Sequence, residues 1–135
     1  RDAIELVLQA PSDMQIVTRR VELQQVLLNL VLNARTAVLA RPGPRRIEIS
    51  AEREGRYVLL RVADNGVGIP PENVERIFEP FFTTKNAPDD PARGSGLGLA
   101  ICEEIVQEMG GEITVDSTPG VGTTFLVKLP SKPRQ

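Results

Sequence analysis

Residues 61–72 read RVADNGVGIPPE, and what the chain does after this stretch decides the fold. Asn65-Gly66 between apolar runs is a strong signal for a two-residue hairpin. The following residues argue against one. After Gly68 come Ile69-Pro70-Pro71-Glu72, then Val74, Ile77 and Phe78 at helical spacing, a proline-led helix start and not a returning strand. The glycines are then either a plain loop or a place where backbone passes close beneath a flat ring.

Upstream, Glu54-Gly55 turns a half-buried strand, in which Ile47, Ile49 and Ala51 alternate with Glu48, Ser50 and Glu52, into a partner over 56–64. Val58, Leu60 and Val62 share one face of that partner with Asp64. The parity turns Asp64 inward, where a bare carboxylate is costly unless a strong donor meets it. An adenine amino group is such a donor.

Before the hairpin, strands are expected over 4–9 and 14–17 around a turn at Pro11-Ser12-Asp13. A long helix follows over about 22–39, and its centre, QVLLNLVLNA, is apolar almost all round, which predicts burial on most sides. Asn29 and Asn33 interrupt it at i, i+4, placing both amides on one face. Two readings stand: core asparagines satisfied by backbone, or a face for metal and phosphate.

Downstream, FEPFFTTK at 78–85 holds three of the four phenylalanines, a cluster suited to anchoring a loop to the core. NAPDDPAR, 86–93, is irregular enough for a lid, flanked by Lys85 and Arg93. GSGLGL then opens an amphipathic helix without a preceding strand. Glycines at a helix start let N–H groups approach an anion, so this is a phosphate site on a mobile loop or an ordinary helix start. The strand required by a dinucleotide fold and the Gly-Lys-Ser/Thr of a Walker loop are both missing. The helix is expected to bury Leu97, Ile101, Ile105, Val106 and Met109, to end at Gly110-Gly111, and to be followed by strands over 112–116 and 123–129.

Composition narrows the chemistry. With 135 residues and 41% hydrophobic content, the chain builds one core, and we expect a single domain over 1–135. A net charge of -2 with interspersed signs gives no basic stripe for nucleic acid. The sequence contains no histidine, which removes the commonest general base, metal ligand and phosphoacceptor. One cysteine, Cys102, permits no intrachain disulfide, so a reducing, cytoplasmic setting is expected. No run crosses a bilayer, and no direct membrane contact is expected. A start at Arg1 without methionine suggests a fragment, whose parent has room for a membrane anchor.

Taken in order, LLNLVLNARTAV, DNGVGI, FEPFFTTK, GSGLGL and GGEITVDSTPGVGTTFLVKLP resemble the N, G1, F and G2 boxes and closing strands of the catalytic ATP-binding domain of bacterial sensor histidine kinases. The resemblance covers nearly the whole chain. It implies the Bergerat fold, a two-layer α/β sandwich with helices over one face of a mixed, mostly antiparallel sheet. It implies that Asn33 holds Mg²⁺, supported by Asn29, and that Asp64 accepts from the adenine amino group of ATP. Gly66 and Gly68 would give close passage, and Thr123 would assist through its hydroxyl or a water. Gly94, Ser95, Gly96 and Gly98 would wrap the phosphates, with Leu97 near the nucleotide and Lys85 and Arg93 reaching in from the lid. Thr36 departs from the pattern, since many members carry a basic residue there.

The resemblance further implies transfer of the γ-phosphoryl to a histidine on a separate dimerisation domain, and onward signalling to a response regulator receiver domain. Related ATPases place a glutamate where Asn29 stands, and its absence favours transfer over hydrolysis. A serine kinase of the anti-sigma type and a non-catalytic nucleotide sensor are the alternatives.

Overall fold

Residues 4–10, 20–80 and 98–131 are described by a computed structural model, and all statements below concern them. Strand β1 (Glu5–Gln9) leads to helix α1 (Arg20–Leu39), then to strands β2 (Arg46–Glu54) and β3 (Tyr57–Asp64). A single helical turn α2 (Pro71–Val74), helix α3 (Gly98–Glu108) and strands β4 (Glu112–Thr118) and β5 (Gly122–Pro130) follow. The expected strand at 14–17 lies outside the described residues.

The five strands form one sheet in the order β1-β2-β3-β5-β4. β1 runs parallel to β2, and every other neighbouring pair is antiparallel. A parallel pair cannot be closed by a tight turn and needs a crossover, which contains α1. The two hairpins, β2–β3 and β4–β5, are short because antiparallel strands permit it.

Side-chain alternation then decides which face is covered. Register pairs Val58 with Leu129, Leu60 with Val127 and Val62 with Phe125, and all six side chains are buried. Val26, Leu30, Ala34 and Val38 of α1, spaced four apart, pack onto that face together with Cys102, Val106 and Met109. Phe78 meets Phe125 edge-on, with centroids 6.2 Å apart at 81°, a geometry worth about 1 kcal/mol beyond its buried area. The F-box anchor expected from the sequence is therefore present at Phe78, while Phe81 and Phe82 lie outside the described residues.

Three expectations need correction. The centre of α1 is not buried on most sides: Leu28 and Leu32 are 56% and 49% exposed, since the helix buries only the sides that meet the sheet and α3. In α3 the fully buried line is Cys102 and Val106, and Ile101 and Ile105 are half-buried flanks. The proline-led helix exists, but it lasts only Pro71–Val74 before the chain continues in turns through Ile77 and Phe78.

The ends of the helices are tied by backbone. At the end of α3, Gly111 N–H donates to the Val106 carbonyl at 2.9 Å, around Gly110 in the left-handed region at φ 83°. Past the end of α1, Arg45 Nε donates to the Val38 carbonyl at 3.1 Å and its Nη2 to the Arg41 carbonyl at 3.2 Å. Cations on these carbonyls answer the negative end of the helix.

Candidate nucleotide site

Asp64 ends β3 on the inner face, as its parity with Val58, Leu60 and Val62 requires, and it is 9% exposed. Its Oδ1 accepts the Gly66 N–H at 2.8 Å, and the Thr123 backbone N–H also donates to the carboxylate. Burial raises its pKa above the ordinary 3.8, against the pull of those two donors. Two N–H groups thus hold the carboxylate without neutralising it, and capacity remains to accept from a ligand.

The loop after Asp64 is stitched on both sides. Asn65 donates through Nδ2 to the Pro44 carbonyl at 3.0 Å and accepts the Arg46 N–H on Oδ1 at 2.8 Å. Arg41 Nη1 donates to the Asn65 carbonyl at 2.6 Å. Val67 N–H reaches the Ala37 carbonyl of α1 at 3.2 Å, and Gly120 N–H reaches the Val67 carbonyl at 2.8 Å. The Asn-Gly pair is therefore an anchor and not a hairpin turn, and Asn65 is a structural residue that the sequence signalled only as turn chemistry.

Both G1 glycines are required by the protein itself. A Cβ on Gly66 would lie 2.5 Å from the backbone carbon of Ala37. A Cβ on Gly68 would lie 2.8 Å from Pro119 Cα, and Gly68 also has φ 78°. In the direction a Cβ would take, these positions are approached by α1 and by the β4–β5 turn.

On α1, Asn29, Asn33 and Ala37 form a row at i, i+4, i+8, spanning about 12 Å along the axis. Ala37 touches the G1 loop at one end of the row. At the other end Asn29 Nδ2 donates to the Gly98 carbonyl at 3.4 Å, where α3 begins. Asn33 lies between them, half-buried. Thr36 turns its hydroxyl back onto the Leu32 carbonyl at 3.2 Å, so it does not stand in for the basic residue. Cys102 is fully buried beside Asn29 and the Val26 carbonyl, and burial pushes its thiol up to about 11.

The structure therefore brings Asp64, Gly66, Gly68 and Thr123 together at the Ala37 end of this row, and Asn29 and Gly98 at the other, near the middle of α1. Gly98 is the first residue of α3, with Asn29 Cγ 4.0 Å from where its Cβ would stand. Lys85, Arg93, Gly94, Ser95, Gly96 and Leu97 lie outside the described residues. Among the described residues no cluster of three or more His, Cys, Asp or Glu could hold a metal, and no helix is long and apolar enough to cross a membrane.

A mixed five-stranded sheet with helices on one face is the architecture of histidine kinase catalytic domains. The nucleotide-free catalytic domain of histidine kinase ThkA superposes with a TM-score of 0.78 at 35% identity, over 96% of this chain and 82% of that one. Full-length ShkA in complex with AMPPNP gives 0.82 at 31% identity, over 98% of this chain and 27% of that one.

Residues 18–133 match the family of histidine kinase-, DNA gyrase B- and HSP90-like ATPases, and the chain belongs to it. It is 44% identical over 133 residues to the two-component sensor PprA of Pseudomonas aeruginosa, a match spanning 95% of this chain and 14% of PprA. It is 39% identical over 128 residues to the sensor-like histidine kinase SenX3 of Mycobacterium tuberculosis, across 95% of this chain and 30% of SenX3. The chain is thus homologous to the ATP-binding catalytic domains of sensor histidine kinases, and it spans less than a third of these two relatives.

Proposed function

We propose that this chain is one catalytic ATP-binding domain that binds Mg-ATP and donates the γ-phosphoryl group to a histidine on a separate dimerisation domain. The observation that carries the reading is the row on α1, which sets a buried carboxylate at one end and two amides toward the other. Asp64 accepts from the adenine amino group, and Thr123 stands beside it. Asn33 and Asn29 supply neutral oxygens for the phosphates, and the likeness to ShkA, a protein in complex with AMPPNP, supports nucleotide binding by this chain.

Magnesium fits this donor set. The ion keeps octahedral oxygen ligation, commonly takes one or two protein ligands and completes its shell with phosphate and water. Asn33, half-buried on the same face of α1 as Asn29, offers a neutral side-chain oxygen to such an ion. When bound, the ion would neutralise charge on the transferring phosphoryl group. The chain's own residues orient the nucleotide. The sole carboxylate on α1, Glu22, lies seven residues before Asn29, so no acid stands at Asn29 to activate water. Transfer is favoured over hydrolysis. By the same reading the parent signals onward to a response regulator receiver domain and works in the cytoplasm, without nucleic acid or direct membrane contact by this domain.

With γ-labelled Mg-ATP, the chain alone should stay unlabelled, because its sequence has no histidine. Adding a dimerisation domain that carries the acceptor should yield acid-labile label on that partner. Label on this chain, or steady hydrolysis without an acceptor, would refute the reading. Asn33→Ala should lower affinity for Mg-ATP about tenfold while leaving metal-free ATP unchanged, as measured by calorimetry with magnesium and with chelator. Equal losses in both conditions would remove Asn33 from the metal.

A further inference from the structure

Ser117 lies near the end of β4. Register places Ser117 opposite Thr123 on β5, and Thr123 opposite Asp64 on β3, so the three residues stand in line across adjacent strands. Ser117 Oγ accepts the Ile69 N–H at 2.8 Å, donates to the Gly122 carbonyl at 3.1 Å and lies 2.8 Å from Thr123 Oγ1.

A hydroxyl has one proton and two acceptor sites. Ile69 N–H can only donate and occupies one acceptor site. The Gly122 carbonyl can only accept and takes the proton. The arrangement that satisfies all three partners at once leaves Ser117 its second acceptor site for Thr123, with the Thr123 hydroxyl donating. In that arrangement the Thr123 oxygen keeps its own lone pairs free to accept.

We propose that Ser117 is a positioning residue for nucleobase choice, holding the Thr123 hydroxyl as an acceptor beside the Asp64 carboxylate. This rests on the ATP-binding reading above. Asp64 and Thr123 are buried on the same face, and together they offer lone pairs to whatever stands over them. Such a surface accepts from a 6-amino purine. A 6-oxo purine would bring lone pairs against lone pairs, and repulsion of the wrong base adds to attraction of the right one.

The test measures dissociation constants of the chain for Mg-ATP, Mg-GTP and purine riboside triphosphate, which has no group at C6. The unaltered chain should prefer ATP over GTP. Ser117→Ala frees the Thr123 proton to turn toward a 6-oxo group, so the ATP-to-GTP preference should fall about tenfold, with purine riboside triphosphate changed less than about twofold. Ser117→Thr keeps the hydroxyl and should restore the preference. Equal weakening of all three ligands by Ser117→Ala, or an unmoved ratio, would overturn the proposal.

Should Ser117→Ala fail to fold, Thr123→Val reads the same hydroxyl, and an unmoved ratio there overturns it equally. Failure of the unaltered chain to bind ATP would remove the nucleotide reading and this inference together. Binding that depends on Asp64 with a ratio insensitive to Ser117 would remove this inference alone.

Discussion

Asp64→Asn should weaken ATP binding about 10- to 100-fold, the scale of a lost hydrogen bond to a charged group, while the ligand-free chain melts at a higher temperature. Both halves follow from burial. The carboxyl has a raised pKa in the folded chain, so the fold favours its protonated form. A group shifted in that direction contributes stability at low pH, and loses it as pH rises from the ordinary 3.8 through the folded value. Above that window the ligand-free chain bears the burial cost of an ionised acid, and the amide variant relieves that cost while keeping an oxygen to accept from the backbone donors, Gly66 and Thr123. Nucleotide recognition needs the ionised form, so affinity for ATP should fall as pH drops through the same window. Calorimetry and thermal melts across pH check this. A variant that lost both stability and binding would mean that Asp64 is a structural carboxylate.

Gly68→Ala should cost about 2–4 kcal/mol, which lowers the melting temperature on the order of 10 °C. An alanine there meets two penalties at once, a φ of 78° and a Cβ 2.8 Å from Pro119 Cα. Neither is relieved by a side-chain rotation, because the obstacle is backbone. Gly98→Ala is the control, since among the described residues its Cβ would come no nearer than 4.0 Å to Asn29 Cγ and its backbone is helical. Its melting temperature should hold. Equal losses at the two positions would contradict the steric account.

Much of this site was legible in the chain. Alternation alone turned Asp64 inward, because one residue of slip would have sent Val58, Leu60 and Val62 to solvent with it. The i, i+4 spacing of Asn29 and Asn33 put the amides in one row. Other features depended on contacts distant in sequence. The reason for Gly66 is Ala37, 29 positions earlier, and nothing local distinguishes that approach from one toward a ligand. Ser117 gains its meaning from Ile69, 48 residues away. The apolar stripe of α3 runs through Ile101, Cys102, Ile105, Val106 and Met109, too wide for periodicity to fix its centre, and tertiary packing chose Cys102 and Val106. Likewise the apolar surround of α1 could not announce that the sheet and α3 would leave Leu28 and Leu32 uncovered.

The stitching of the loop after Asp64 to α1, to Pro44 and Arg46, and to the β4–β5 turn has an energetic consequence. Ordering those residues is completed during folding, so a nucleobase arrives at a mould already set and forfeits little of its binding enthalpy to rearranging the protein. The adenosine moiety should thus secure ATP and its spent product alike. Turnover then requires discrimination to reside at the opposite, polyphosphate end of the α1 row.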